Sequence, residues 1–232
     1  MKKIILVGGD PNSINSEIIL KSWKKISTSL KKKIYLISNY NLIKDQSKKL
    51  KISTKFCKVK NLEDKNNDYS LKIIDINLKY SNPFNVSFNE ASKFVNKSLN
   101  LAHYLSINKK AIGIVNCPIN KNLLKRKNYG VTELLASKCK IKNNSEVMFI
   151  WNKKLSVSPI TTHINIKNIS KNLTTRVIMN KIITIDKFFK KYFKKKPKIA
   201  MLGLNPHNAE MTKNSEEKKI ILPSILKLRK KG

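Results

Sequence analysis

Short apolar runs rich in β-branched residues, recurring between stretches of helical spacing, constrain this chain more than any other feature. Ile4 to Val7 is wholly apolar and stops at Gly8-Gly9-Asp10-Pro11. Lys33 to Ser38, Phe56 to Val59, Leu71 to Ile76 and Ala111 to Val115 have a similar character. A strand with one wet face alternates apolar and polar residues, whereas a run that is apolar throughout needs cover on both faces, as in a parallel sheet between helices. The intervening segments supply those helices. Ala91, Phe94, Val95, Ala102 and Leu105 recur at helical spacing, as do Ile178, Ile182, Ile185, Phe189 and Tyr192 within Lys171 to Lys195. Asn15 or Ser16 is placed to cap the helix after the first strand, and Ser87 to cap the one carrying Ala91. Pro223 falls inside the periodic segment Ser215 to Lys231 and predicts a kink or a late start there. Strands alternating with helices make an α/β fold with a mostly parallel sheet.

Two further predicted strands end in histidine. Val147 to Trp151 and Leu155 to Ile160 read as an adjacent pair, the second running into Thr161-Thr162-His163. Ile199 to Leu202 stops at Gly203 and leads through Leu204-Asn205-Pro206 to His207. Open α/β sheets bind ligands at the carboxyl ends of their strands. Two strand ends that each carry a histidine, in a chain with 3 histidines, suggest a metal or substrate site. Neutral imidazole suits borderline divalent metals, and catalytic sites leave a coordination position open. The competing reading makes each a hydrogen-bonded loop residue. His103 reads as a residue of the amphipathic helix rather than a third ligand. Gly130-Val131-Thr132-Glu133 opens a helix whose N–H groups suit a phosphate and an ordinary cap equally well. Glu216-Glu217 beside Lys218-Lys219 reads as a solvated helix face.

Composition removes several function classes. The formal charge of +35 points at first to nucleic acid, but 46 of the 49 basic residues are Lys. Proteins that read bases or phosphates favour the bidentate fork of Arg, so a specific nucleic-acid partner is not expected. The spread of Lys, Asn and Ile along the chain resembles a drift in amino-acid usage. Cys57, Cys117 and Cys139 form no C-x-x-C pair, which excludes a zinc ribbon and leaves reduced thiols in a cytoplasmic protein as the expectation. No apolar stretch is long enough to span a bilayer, and the first apolar run is too short for a secretion signal. Neither G-x-G-x-x-G nor G-x-x-x-x-G-K-[ST] occurs.

Taken in order, several stretches resemble the 4-hydroxythreonine-4-phosphate dehydrogenase family of vitamin B6 biosynthesis. Gly9-Asp10-Pro11 with Glu17 stands where that family has G-[DE]-P-A-G-I-G-P-E. Cys117-Pro118-Ile119-Asn120-Lys121 is similar to its P-[IV]-[NH]-K strand end, and Gly130 to Glu133 to its G-H-T-E segment. Thr161-Thr162-His163-Ile164-Asn165-Ile166 resembles T-T-H-[IL]-P-L, and Gly203 to Glu210 resembles G-L-N-P-H-A-G-E. The resemblance implies two α/β/α lobes with mostly parallel sheets, related to isocitrate and isopropylmalate dehydrogenases. The lobes would be residues 1–116 and 117–232, the second incomplete, with a C-terminal part of the family fold missing. It implies oxidation of the 3-hydroxyl of 4-phosphooxy-threonine by NAD, decarboxylation of the product, a divalent metal cation (Zn, Mg or Co) and a homodimer. His163 and His207 match two of the family's three metal ligands; the third would lie beyond Gly232, on the partner chain. Thr132 matches a substrate-binding threonine.

The sequence also departs from the pattern. Val131 replaces a substrate-binding histidine, and Asn12-Ser13-Ile14-Asn15-Ser16 replaces Ala, Gly, Ile, Gly and Pro. A truncated or divergent family member is expected. The alternative is a catalytically inactive α/β protein that binds phosphates or nucleic acid through its lysine-rich surface.

Overall fold

The computed structural model describes residues 2–64, 68–124, 130–141, 145–162, 164–204 and 212–231. The chain divides into two compact units, Met1–Leu135 and Ala136–Gly232.

In the first unit five strands form a parallel sheet: β1 (Ile4–Val7), β2 (Ile34–Ser38), β3 (Phe56–Val59), β4 (Leu71–Asp75) and β5 (Gly113–Asn116). Their spatial order is β3-β4-β2-β1-β5, with Ile4 opposite both Ile34 and Gly113. Because side chains alternate along a strand, each apolar run feeds two cores. Ile5, Val7, Tyr35, Ile37 and Ile74 face helix α4 (Phe88–Ile107), where Phe94, Val95, Leu99 and Ala102 are buried. Leu36, Leu71 and Ile73 face the other way, onto Ile19, Leu20 and Trp23 of α1 (Asn15–Lys25) and Ile43 of α3 (Tyr40–Lys49). This is the three-layer α/β arrangement that the apolar runs demand. Each fully buried large side chain contributes about 1.5–3 kcal/mol. A short helix, α2 (Thr28–Lys33), buries none of its residues and carries no periodicity to predict it from. Its last carbonyls, of Lys31 and Lys32, accept from the buried ammonium of Lys72, whose pKa burial lowers.

The division between units falls later than the Asn116 boundary read from the sequence. The residues just after β5 pack with the first sheet: Cys117 joins the α1 side, and Leu123 and Leu124 join the α4 side. Helix α5 (Val131–Lys138) follows, with Leu134 buried in the same core.

The second unit is mostly helical among the described residues. It contains α6 (Ile169–Asn172), α7 (Thr175–Phe188) and α8 (Leu222–Arg229). Thr174 caps α7 by accepting from Val177 N at 3.2 Å. α7 runs on into a π-helical turn, Phe189–Phe193, which ends at Lys194 in the left-handed region (φ 54°). A π-helical segment, Glu217–Ile221, runs directly into α8, so Pro223 lies inside a helix that has already begun and the late start does not hold; the π-helical distortion just before it accommodates the missing N–H. The strands expected at 147–151 and 155–160 are reduced to one antiparallel bridge, Ile150 to Val157. The strand expected at 199–202 joins no ladder among the described residues, and Leu202 is 81% exposed. An apolar run becomes a strand only when a neighbour takes up its N–H and C=O groups. Leu173, Ile178 and Ile221 form the buried core of this unit. Among the described residues, no helix is long and apolar enough to cross a membrane.

Candidate active site

In the first unit the chain leaves β1 toward β2 on one side, and α4 later returns it to β5 on the other. The carboxyl ends of β1 and β5 therefore flank the switch point where such sheets take ligands. Here that crevice is filled by the protein. Gly9 adopts φ 75°, and Asp10 N donates to Pro118 O at 3.3 Å. Asn15, 2% exposed, donates from Nδ2 to Gly8 O at 3.0 Å and to Pro118 O at 2.8 Å. Its side chain ties the two strand ends together, and it is not the helix cap that the sequence suggested: the capping position falls at Ile14, without a side-chain hydrogen bond. Ser87 does stand at the cap position of α4, again without a side-chain bond. Asn12 exchanges hydrogen bonds with the backbone of Val86, and Gln46 donates to Pro11 O and Pro83 O. The loop after β1 is thus fixed from three sides.

Thr132 stands in the first turn of α5 and is exposed. Its neighbours turn inward: Val131 packs against the α4-side core and Leu134 is buried in it. Val131, only partly buried, rests a hydrocarbon side chain against that core and stays in part accessible, at the position where a histidine was expected from the resemblance. His103 lies half-buried in α4, as a helical residue.

His163 and His207 lie outside the described residues, but the segments leading to them do not. Ile160 and Met201 both pack against the cluster of Leu173, Ile178 and Ile221. The approaches to the two histidines, which are 44 positions apart in sequence, thereby share one apolar anchor. Leu204 N, three residues before His207 in sequence, donates to Glu217 Oε1 at 2.8 Å. Further along, Ser215 N donates to Thr212 O at 3.0 Å. Glu217 is 6% exposed, so the expectation of a solvated Glu216-Glu217 face is wrong for this residue. One of two adjacent acidic residues beside a lysine pair carried no signal of burial; what it supplies is the acceptor for the Leu204 N–H. Glu217→Ala is expected to cost the second unit about 1 kcal/mol, the net worth of the part-buried hydrogen bond it removes from Leu204 N. Urea denaturation followed by the fluorescence of Trp151 would measure the loss. Among the described residues no group of three or more His, Cys, Asp or Glu is placed to hold a metal.

The family model described as pyridoxal phosphate biosynthetic protein PdxA matches residues 29–232. The chain belongs to the PdxA family. It is 33% identical over its whole length to a 4-hydroxythreonine-4-phosphate dehydrogenase of Sulfurihydrogenibium sp. (strain YO3AOP1), spanning 72% of that protein. It is 31% identical to the Aquifex aeolicus (strain VF5) enzyme of the same name, again spanning 72%. The crystal structure of the Klebsiella pneumoniae 4-hydroxythreonine-4-phosphate dehydrogenase superposes with a TM-score of 0.84 at 25% identity, covering all of this chain and 73% of that one. The α/β fold and the PdxA resemblance read from the sequence are therefore both correct.

One PdxA-motif residue has a reactivity that can be tested directly. Cys117, in the Cys117-Pro118-Ile119-Asn120-Lys121 strand end, is buried, and that burial pushes its thiol up to about 11. The thiolate is the nucleophile, so Cys117 is expected to resist iodoacetamide at pH 8 while exposed Cys139 is alkylated. Peptide mapping after brief labelling would check this. Labelling of Cys117 should appear only near pH 11 or in denaturant.

Proposed function

We propose that this chain is a 4-hydroxythreonine-4-phosphate dehydrogenase, an oxidoreductase of pyridoxal phosphate biosynthesis. The reaction is oxidation of the 3-hydroxyl of 4-phosphooxy-threonine with NAD⁺ as hydride acceptor, followed by loss of CO₂ from the β-keto acid. Supporting this reading is the convergence of the two PdxA histidine segments on one apolar cluster, through Ile160 and Met201. Two neutral imidazoles suit a divalent cation of the kind the motifs imply (Zn, Mg or Co), Zn and Co better than the harder Mg. His163 and His207 would hold that cation, which supplies Lewis-acid polarisation of the alcohol oxygen as hydride leaves its carbon. Thr132, exposed in the first turn of α5, offers a hydroxyl donor to the substrate phosphate. The dinucleotide is assigned no contacts: the crevice that doubly wound folds use is filled by Asn15, and no glycine fingerprint is present. The enzyme would act as a cytoplasmic homodimer. NADH formation from 4-phosphooxy-threonine, with Mg²⁺, Zn²⁺ or Co²⁺ added in turn, tests the activity; no absorbance change with any of them would overturn it.

Val131 favours a second reading, a phosphate-binding protein without turnover. Valine neither donates to phosphate nor carries charge, so the substrate loses a partner at this position. Val131→His separates the two readings. If the chain is an enzyme weakened at this position, the substitution should lower KM by roughly tenfold, the worth of one charge-assisted hydrogen bond. If it is a silent binder, phosphate affinity should rise with no NADH formed.

A further inference from the structure

After β5 the chain is fixed to its neighbours at each step, and one side chain takes no part in the fixing. Cys117 N donates to Val7 O at 3.0 Å, and Pro118 O accepts from Asp10 N and from the buried Asn15 amide. Two residues on, the chain makes a 3₁₀ turn, Lys121–Leu123, which Asn120 caps by accepting from Asn122 N at 3.1 Å. Leu123 N and Leu124 N close the turn onto Asn120 O and Lys121 O. Helix α4 then clamps its end. Ser92 Oγ at 2.7 Å and Asn96 Nδ2 at 2.8 Å both donate to Leu123 O. Asn96, Leu123 and Leu124 are all buried.

Lys121 is the exception. Its carbonyl closes the turn, but its side chain is exposed, and no hydrogen bond or ion pair with another described residue engages its ammonium. A cation on a backbone held from two sides is presented at a set place. That place is the carboxyl edge beside β1, at the switch point of the sheet. Asp10 is the acidic group there, and its Oδ1 accepts from Asn12 N at 2.9 Å. From Ala91 to Thr132 the sequence has no acidic residue. Lys58 and Lys60, by contrast, lie in and just after β3, at the opposite edge of the sheet, and Lys58 is paired with Asp75 at 2.6 Å. Leu123 and Leu124 belong to the same core cluster as Val131 and Leu134 of α5, so the turn and the start of that helix rest on one base. There Thr132 offers a hydroxyl without charge, and Val131 offers neither.

We propose that Lys121 is the cation that binds the phosphate group of the substrate, a role that rests on the dehydrogenase reading above. A phosphate leaving water for a cleft needs charged donors in place of its hydration. An ammonium on a flexible four-carbon stem serves it as a point charge, and here it takes up the charge that valine at position 131 leaves unmet. The phosphate is remote from the carbon that loses hydride. An interaction with it strengthens ground state and transition state alike, so its loss shows in KM rather than in kcat.

Calorimetric titration of 4-phosphooxy-threonine into the full chain, at about 0.15 M salt, tests the contact without requiring turnover. Lys121→Met should weaken binding by roughly tenfold or more, and Lys121→Arg by much less. In NADH assays the Met variant should raise KM by a similar factor with kcat nearly unchanged. Unphosphorylated 4-hydroxythreonine should bind wild type and Lys121→Met alike. Lys24→Met removes the same charge from the far end of α1 and should leave affinity within about twofold. An equal loss in Lys24→Met would trace the effect to the general field of a +35 chain and overturn the proposal. Wild-type affinity in Lys121→Met would overturn it as well, as would an equal loss for 4-hydroxythreonine. Binding that depends on Lys121, with no NADH formed by the wild type, would instead defeat the dehydrogenase reading and leave the lysine's role standing. No binding of 4-phosphooxy-threonine to the wild type would overturn both.

Discussion

Replacing His163 or His207 by alanine is expected to lower NADH formation from 4-phosphooxy-threonine by roughly 100-fold or more, and to release the divalent cation on dialysis. Each substitution removes one of only two imidazoles that the PdxA motifs place in this part of the chain. A site short of one imidazole holds a borderline cation far more weakly against water. The fold should survive both changes, because the histidines stand past the anchors Ile160 and Met201 and neither anchor is altered. Metal content by elemental analysis gives a readout independent of turnover. Retention of both metal and rate in either variant would remove that histidine from the site. Activity that falls while metal is retained would reassign the residue to contact with the substrate.

Gly9→Ala should be the most damaging single methyl in the first unit. At φ 75° an L-residue already costs about 1–2 kcal/mol. The added Cβ would also lie 2.6 Å from Pro118 O and 2.6 Å from Asn15 Nδ2. Those two atoms are hydrogen-bonded to each other, so neither yields without breaking the tie between β1 and β5. Overpacking of this kind adds about 1–3 kcal/mol, giving an expected loss of about 2–5 kcal/mol. Denaturation followed by Trp23 fluorescence in a Trp151→Phe background isolates the first unit. Gly113→Ala is the control: nothing stands within 4 Å of its added Cβ, and its effect should stay within about 0.5 kcal/mol. Asn15→Gly combined with Gly9→Ala should recover only part of the loss, because the Pro118 carbonyl and the backbone angle remain.

The first unit was legible because its strands are buried on both sides. A run such as Ile4 to Val7 has one reading in a chain of this length, and β1, β2, β4 and β5 stand within two residues of where their runs predicted. The α4 helix was equally plain, its apolar stripe being the one that packs on the sheet. What composition could not show was contact made at long range. Asn15 has the residue type of a cap, and only the close approach of Pro118, 103 positions away, turns it into a tie between strands. Glu217 has the neighbours of a surface residue and is nonetheless buried, accepting from Leu204 N. The second unit misled because its apolar runs have strand character while the ladder partners are lacking among the described residues, leaving the single Ile150 to Val157 bridge. The histidine motifs were legible from their order along the chain. Their side-chain positions belong to residues outside those described.

The small core around Ile178 bears on how the molecule would respond to its ligands. Leu173, Ile178 and Ile221 make a much smaller buried cluster than either of the two that sandwich the first sheet. Amide exchange should therefore be slow along β1, β2 and β4 and fast from Glu146 onward, with partial unfolding confined to the second unit. The segments bearing His163 and His207 belong to that looser half. Ligation there would draw on local folding free energy, so added cation should slow exchange around Ile160, Met201 and Leu204 selectively and leave the first sheet's protection unchanged.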